Sequence, residues 1–178
     1  IDIKETFYKI REDLIKLAYA SYIVELCDVV IVEGVTNNRL FDTLIKTLSI
    51  ITYKQEGYDL VKLGFQLKLL DYSGFCPEVT RCVNCGNHNF QKPRFNIEHG
   101  GMICDVCSND YEESIIINYT MLKLIDYILK TDIITVSKLK LNQNLIKSLN
   151  KLIDKYIEVH LERKTFRSLE FLKTLNKI

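Results

Sequence analysis

Four cysteines in two closely spaced pairs constrain this chain of 178 residues more than any other feature of its sequence. The pairs are Cys82-Val-Asn-Cys85 and Cys104-Asp-Val-Cys107, and 18 residues separate them. Each C-x-x-C turn can direct two thiolates at one point, and two such turns complete a tetrahedron of sulfur ligands around Zn²⁺. The pattern therefore predicts one structural zinc ion that is bound by all four cysteines and has no open coordination position.

Three other roles for these cysteines fit the sequence less well. Disulfide bonds need an oxidising compartment, and no secretory signal is visible. A dithiol redox centre uses one C-x-x-C pair on a βαβ background, which this sequence lacks. A catalytic zinc ion keeps a bound water, and the H-x-E…P-C-x-x-C deaminase signature is absent. His99 could still replace one cysteine as a ligand, whereas we expect Cys76 to be a bystander or packed thiol and Cys27 to be a core residue.

Apolar residues recur at helical spacing on both sides of the cysteine-rich segment. The predicted helices cover residues 4–32, 39–51, 58–72, 121–130 and 142–162, and a last amphipathic stretch covers 166–175. The conformation of residues 29–32 (VVIV) stays open, because a short apolar run fits a helix or a strand. Gly64 in the third helix predicts close contact with another helix, since glycine in a helix interior costs about 1 kcal/mol relative to alanine.

Residues 73–113 differ in composition from the rest of the chain. They hold five of the six cysteines, both prolines and four of the seven glycines. A segment this small cannot bury a core of its own, so metal binding is expected to supply folding energy of order 10 kcal/mol. The predicted fold is therefore mainly α: a helical bundle made of residues 1–72 and 114–178, with an inserted four-cysteine, zinc-ribbon-like finger of turns and short strands at 73–113.

Charge is balanced over the whole chain but not along it. Residues 114–178 hold 12 Lys and Arg against 6 Asp and Glu, a net charge of +6, whereas residues 1–113 have a net charge of −5. An anionic partner of the C-terminal helices explains this asymmetry, and so does a set of solvated, lysine-rich helix faces. No run of about 18 apolar residues is present, so no membrane helix is predicted and the expected location is the cytoplasm.

Several stretches of the chain resemble segments of one bacterial protein family. The helix that leads into the finger, with the sequence FQLKLLDYSGFCP (65–77) followed by CVNCG (82–86), resembles the corresponding junction of that family. The Gly100-Gly101 pair before the second C-x-x-C is similar to a pair in that family. The stretches ASYIVEL (20–26) and FRSLEFL (166–172) resemble its first core helix and its closing segment. The family that these stretches resemble is RecO, the recombination mediator of DNA repair. The resemblance implies the C-terminal helical and zinc-finger part of RecO, without the OB-fold expected before it.

This resemblance implies a protein that is not an enzyme. A RecO-like mediator would bind single-stranded DNA and the single-strand-binding protein (SSB) that coats it, anneal complementary strands, and with RecR help RecA to replace the coat. Its expected location is the bacterial cytoplasm, in association with the nucleoid. The alternative from another class is a zinc-ribbon adaptor that contacts proteins only. A zinc hydrolase or deaminase would require that one of the four cysteines be replaceable without loss of the metal.

The resemblance also implies which residues contact the partners. The acidic, Phe-ended C-terminal tail of SSB needs cations beside an apolar notch, and Lys62 and Arg167 match the motif positions. Phosphate contacts are expected from lysines of the C-terminal helices: Lys147, Lys151, Lys155 and Lys164. The alternative is that all of these are ordinary surface charges.

Overall fold

The computed structural model of the protein describes residues 6–89, 91–111, 113–163 and 165–175. These residues form seven α-helices and three short strands, and none of the helices combines the length and apolar character needed to cross a membrane. The helices are α1 (Leu14–Val30), α2 (Asn38–Tyr53), α3 (Tyr58–Tyr72), α4 (Tyr119–Lys130), α5 (Ile133–Val136), α6 (Gln143–His160) and α7 (Arg167–Leu175). The strands are β1 (Arg94–Asn96), β2 (Gly101–Ile103) and β3 (Ile115–Ile116). The predicted mainly α fold with a finger of short strands is confirmed.

The first helix begins later than its apolar pattern predicts. The Asp13 carboxylate accepts hydrogen bonds from the Ile15 and Lys16 amides at 2.8 and 3.1 Å. Such an N-cap satisfies N–H groups that have no carbonyl partner within the helix, and α1 therefore begins at Leu14. The predicted start at residue 4 lies outside the described residues.

The valine-rich run at residues 29–32 is divided between helix and loop. The Ile31 amide donates to the Cys27 carbonyl at 3.0 Å, which closes the last turn of α1. The backbone of Ile31 itself is extended, with φ −76° and ψ 124°. Neither a continuous helix nor a strand describes the whole run.

Helix α3 is the centre of the bundle and is buried along most of its length. Helices α1, α2, α4, α5 and α6 all pack against it. At Gly64, a Cβ atom would lie 2.7 Å from the Ile133 Cδ1 atom and 3.1 Å from the Val136 Cγ1 atom of α5. The close helix contact that Gly64 predicts is therefore confirmed.

Buried lysines connect helices through the carbonyl groups at helix ends. The Lys16 ammonium donates to the Thr52 carbonyl at 3.0 Å, near the end of α2. The Lys68 ammonium donates to the Leu129 carbonyl at 2.6 Å, near the end of α4. Carbonyls at a helix C-terminus carry partial negative charge, so they stabilise a buried cation. Burial nevertheless lowers the pKa of Lys68.

The finger lies between α3 and α4 in the chain and packs against α6. Its strands pair antiparallel in the order β2-β1-β3. The His160 Nε2 atom lies 2.6 Å from the Ile97 carbonyl oxygen, and the Tyr156 hydroxyl donates to the Gly100 carbonyl at 3.3 Å. Buried side chains form one core through the finger and the helices, so the division into two units at 73–113 stays a prediction.

Candidate metal centre and lysine groove

The four cysteines of the two C-x-x-C pairs come together in the finger. The sulfur atoms of Cys82, Cys85, Cys104 and Cys107 all lie within 4.8 Å of one another. Four sulfurs around one ion, each about 2.3 Å from it, would be about 3.8 Å apart. The sulfurs of Cys85 and Cys104 are 3.7 Å apart. The cluster could therefore hold a metal ion.

Backbone hydrogen bonds bring the two pairs together. The Gly86 amide donates to the Cys82 carbonyl at 2.8 Å, and Gly86 has φ +74°, so the first pair forms a tight turn that favours glycine. Cys104 directly follows β2, and its amide lies 3.3 Å from the Cys82 sulfur. The Val83 amide donates to the Met102 carbonyl at 2.9 Å, which fixes the first pair beside β2.

The surroundings of Cys82 lower the pKa of its thiol. Burial on its own raises the pKa of this thiol, but backbone N–H groups of Cys85, Cys104 and Asn84 lower it to about 6. A thiolate at neutral pH is the form that binds a metal ion. At Cys107, a hydrogen bond with Asn84 lowers the pKa, but hydrogen bonds with the other three cysteines, together with burial, raise it to about 12. The donor set and the low pKa of Cys82 thus fit a bound metal.

The other thiols and the histidine that could have joined the cluster lie apart from it. Cys27 is buried in α1, where burial raises its pKa to about 12. Cys76 is exposed and outside the four-sulfur group. The His99 Nδ1 atom lies 3.0 Å from the Asn96 Oδ1 atom, and its ring packs edge-on against Tyr111. None of the three is among the residues that form the cluster.

A groove of about 540 Å³ between α6 and α7 collects positive charge. We call it the lysine groove, and its lysines are Lys62, Lys147, Lys151, Lys155 and Lys173. Leu169 and Leu172 of α7 also line it, although both are largely buried in the core. The structure thus brings three of the predicted phosphate-contacting lysines together with Lys62, one of the two predicted partner-binding residues.

Lys62 lies at the floor of the lysine groove, inside a buried polar network. Its ammonium lies 2.9 and 3.0 Å from the two carboxylate oxygens of Asp154, and the two side chains are only 6% and 14% exposed. The Gln66 amide donates to Asp154 at 2.7 Å and to the Tyr22 hydroxyl at 2.8 Å. The Lys62 charge is therefore already paired.

The groove contains both exposed lysines and carboxylates, and two of the carboxylates already have donors within the protein. Lys147, Lys151, Lys155 and Lys173 are all exposed. Three carboxylates also line the groove, those of Asp59, Asp154 and Glu158. Two of them have donors within the protein, since Asp59 accepts from the Tyr19 hydroxyl at 2.7 Å and Asp154 pairs with Lys62. The exposed lysines are the cations available to an incoming anion.

Arg167, the second predicted partner-binding residue, lies at the start of α7 and is not part of the groove lining. Its amide donates to the Glu25 carboxylate at 3.3 Å, and the Ser168 amide donates to the same group at 3.1 Å. The Arg163 guanidinium also pairs with Glu25 at 2.9 Å. Glu25 of α1 therefore holds the first turn of α7 in place. Lys164, the fourth predicted phosphate-contacting lysine, lies outside the described residues.

Lys173 and His160 are among the residues of these sites that the sequence-based prediction does not include. Lys173 faces α6 across the groove, and its only sequence signal is its place beside Leu172 in the amphipathic pattern of α7. His160, at the end of α6, holds the finger through the Ile97 carbonyl, which lies 63 residues away in the chain. A contact between distant segments leaves no local pattern.

Comparison with known proteins shows to which family this chain belongs. Residues 11–170 match the family model described as "Recombination protein O C terminal". The DNA repair protein RecO of Alkaliphilus metalliredigens is 43% identical over 172 residues, which cover 97% of this chain and 70% of that protein. The DNA repair protein RecO of Desulforamulus reducens is 31% identical over 177 residues, which cover 99% of this chain and 68% of that protein.

The helical fold, the four-cysteine finger and these matches together define a DNA repair protein. The chain belongs to the RecO family, and the model that matches it describes the C-terminal domain of RecO proteins. The resemblance inferred from the finger junction and the cysteine pattern is confirmed.

Proposed function

We propose that the chain acts as a RecO-like mediator of DNA repair and homologous recombination and is not an enzyme. It binds single-stranded DNA and the tail of SSB, anneals complementary strands, and with RecR helps to load RecA, in the bacterial cytoplasm at the nucleoid. Membership of the RecO family supports this proposal. The observation in the structure that carries it is the lysine groove.

Single-stranded DNA binds along the face of α6 that borders the lysine groove. Lys147, Lys151 and Lys155 recur every four residues, so they form one row with steps of about 6 Å along the helix axis. Their exposed ammonium groups can approach phosphates from solvent. Binding of this kind releases counterions and therefore weakens as salt increases.

The acidic tail of SSB binds in the same groove. Its carboxylates need cations, which the exposed lysines of the rim supply. The apolar residues of the lining, Leu169 and Leu172, are 5% and 3% exposed, so the aromatic end of the tail meets them only at the surface of the core. Lys62 supports this site from the floor, through its pair with Asp154. Arg167 is exposed at the start of α7 and is a second candidate contact for the tail.

The four-cysteine cluster binds one structural Zn²⁺ ion through Cys82, Cys85, Cys104 and Cys107. Four sulfur donors within 4.8 Å of one another match the closed tetrahedral sites of zinc. Bound zinc contributes folding energy to the finger, whose strands are only two or three residues long.

The first test measures DNA binding by the 178-residue chain as a function of salt. A labelled oligothymidine should bind at about 50 mM salt and dissociate at about 200 mM, with a negative log–log slope. Replacing Lys151 by Gln removes one contact and should reduce that slope by about 0.7. Lys123→Gln is the matched control, because Lys123 is exposed on α4 and does not line the groove.

Failure to retain DNA at any salt concentration would refute the assignment of this groove to single-stranded DNA. An equal loss of slope in Lys123→Gln would show that binding is spread over the surface. Either result leaves the family membership unchanged.

The second test measures the metal. Purified protein should contain one zinc per chain, and Cys→Ser replacement at any one of the four positions should release it. Cys76→Ser is the control, since Cys76 lies outside the cluster. Retention of zinc after loss of any one of the four cysteines would point to a site with fewer protein ligands, as in a zinc enzyme.

The alternative is a zinc-ribbon adaptor that contacts proteins without nucleic acid. One observation favours it: a second, mainly apolar groove of about 800 Å³ includes the exposed side chains of Ile31, Val35 and Phe41. An adaptor would keep its partner after replacement of Lys147, Lys151 and Lys155, whereas a DNA-binding mediator would lose affinity for DNA.

A further inference from the structure

We propose that two copies of this chain bind each other symmetrically through the mainly apolar groove of about 800 Å³, which we call the apolar groove. Its lining comes from the C-terminal end of α1, the loop that follows, the start of α2 and the end of α3. The inference goes beyond the proposed function and does not rest on it, because the contact requires neither DNA nor another protein.

The first argument is that the groove exposes a contiguous set of large apolar side chains. Ile31, Val32 and Val35 of the loop, together with Phe41 on the first turn of α2, are between 57% and 66% exposed. Phe75, which follows α3, adds a second ring that is 39% exposed. All five side chains line the apolar groove. Scattered single apolar residues are normal on a protein surface, whereas a contiguous patch marks an interaction site.

The second argument is that the area of this patch is close to what a stable dimer needs. A fully exposed aromatic side chain contributes about 200 Å² and an aliphatic one about 100 Å². At their exposed fractions, the five side chains therefore offer about 400 Å² of apolar surface per chain. Interfaces are about 57% non-polar, so about 700 Å² per chain would be buried, close to the roughly 800 Å² of a standard interface.

The third argument is that one face of the molecule carries both an exposed ring and a cavity. Phe41 is 64% exposed, whereas Leu40 and Cys27 in the lining of the same groove are buried. In a two-fold contact the same patch occurs on both sides, so that residue i contacts residue j and j contacts i. The Phe41 ring of each chain can therefore enter the groove of the other, at the centre of the interface.

The fourth argument is that charges of both signs surround the groove. Glu33 lies in the loop after α1, Glu162 lines the groove after α6, and Arg39 lies on the first turn of α2. All three are exposed, and among the described residues none of them forms an ion pair. A two-fold axis can place Arg39 of one chain opposite a carboxylate of the other, so the patch is complementary to itself. A purely acidic or purely basic partner would meet a like charge, which makes a second copy the better fit.

The first experiment measures the mass of the 178-residue chain by sedimentation equilibrium at concentrations of about 1–100 μM. The chain has a mass of 20.8 kDa, and its average mass should rise towards twice that value as the concentration increases. A mass of 20.8 kDa at every concentration would overturn the proposal and leave the groove to a different protein.

The second experiment assigns the contact to the apolar groove. Phe41→Ala should raise the dissociation constant of the dimer by about 30-fold or more, because an aromatic side chain at the centre of an interface carries much of its energy. Tyr53→Ala is the matched control, since Tyr53 is an aromatic residue on the same helix that is 60% exposed and does not line the groove. No effect of Phe41→Ala, or an equal effect of Tyr53→Ala, would overturn the assignment.

The third experiment tests the symmetry of the contact by exchanging charges. Arg39→Glu gives a patch with acidic charges only, and Glu33→Lys with Glu162→Lys gives one with basic charges only, so each variant alone should be monomeric. An equal mixture of the two should form a heterodimer, since opposite charges then face each other across the axis. Recovery requires that both chains be folded, which separates loss of contact from misfolding. A mixture that stays monomeric would overturn the symmetric dimer.

Discussion

At the scale of single residues, the buried pair of Lys62 and Asp154 is the contact on which stability depends most clearly. Replacing Lys62 by Met leaves a carboxylate in the bundle with the Gln66 amide as its one remaining donor among the residues described. Loss of one partner of a buried ion pair destabilises a protein by about 3–5 kcal/mol. Urea unfolding of Lys62→Met should show a loss of this size.

The exposed ion pair of Lys46 with Asp42 and Asp132 is the control for this prediction. Lys46 is 33% exposed and its partners are more exposed still, so Lys46→Met should cost far less stability than Lys62→Met. The double variant Lys62→Met with Asp154→Leu should recover much of the loss, because no unpaired charge remains. Similar losses in Lys62→Met and Lys46→Met would contradict the role given to the buried pair.

Glu25 makes the attachment of α7 sensitive to acid. Burial alone raises the pKa of Glu25, but hydrogen bonds from Ser168 and the Arg167 amide, with the Arg163 charge, lower it below its ordinary value of 4.5. Because the pKa is lower in the folded state, the stability from this carboxylate is present above the unfolded pKa and is lost as pH falls through the folded one.

We therefore expect wild-type protein to lose more stability than Glu25→Gln when the pH falls from about 7 to below about 4. Chemical denaturation at the two pH values measures this difference. Asp28→Asn is the control, since Asp28 is exposed one turn further along α1. A wild-type pH dependence that Glu25→Gln keeps in full would exclude this mechanism.

The contacts that can be predicted from the sequence are those with a local signal. The spacing of the four cysteines and the glycine within α3 are visible in a short window of sequence, and the structure brings the four sulfurs together and packs α5 against Gly64. The pairing of Lys62 joins residues 92 positions apart. Its place before Phe65 in a family motif therefore could not show that its charge is already neutralised.

At the scale of secondary structure elements, the finger depends on the close approach of β2 to the segment that leads into the first C-x-x-C pair, residues 78–83. A Cβ atom on Gly101 would overlap the Glu78 carbonyl oxygen and would lie 2.8 Å from the Val83 Cγ1 atom. A backbone carbonyl cannot move aside as a side chain can, so Gly101→Ala should separate these segments. We expect about 1–3 kcal/mol of destabilisation and weaker zinc binding, measured by competition with a chromophoric chelator.

Gly34→Ala is the matched control for this prediction. Gly34 has φ +82°, and a Cβ atom added there would meet no atom within 4 Å. Alanine at this position therefore brings backbone strain of about 1–2 kcal/mol without a clash. Zinc affinity should remain that of wild type. Unchanged zinc affinity in Gly101→Ala would show that the close approach does not support the cluster.

The helices of this fold are largely predictable from the sequence, and the irregular parts are not. The apolar periodicity at 58–72 gives the bounds of α3, since a buried helix repeats one pattern over several turns. The same kind of pattern places Asp13 inside the helix predicted at residues 4–32, although its side chain caps the start of α1. The single turn of α5 falls where the pattern predicts a break, because four residues are too few for a period to show.

At the scale of the whole molecule, removal of the metal should affect more than the finger. Phe95 of β1 is fully buried, and its ring lies 5.9 Å from that of Tyr156 on α6. Chelation should therefore lower the thermal unfolding temperature of the whole chain in one cooperative transition, because finger and bundle share a core. Differential scanning calorimetry with and without chelator measures this, and Cys82→Ser should behave like the chelated protein.

An unfolding temperature that stays constant on chelation would show that the bundle is stable without the finger. A separate, early transition for the finger would contradict a shared core. In that case the predicted unit at residues 73–113 would fold independently.

His160 and Tyr156 lie in the last two turns of α6, the same helix that presents Lys147, Lys151 and Lys155. The helix is thus anchored to the four-cysteine finger at its C-terminal end, and its flank is the face that we propose binds DNA. If the finger binds zinc, EDTA in the buffer would remove one support of α6. The measured affinity for DNA would then depend on the concentration of free zinc.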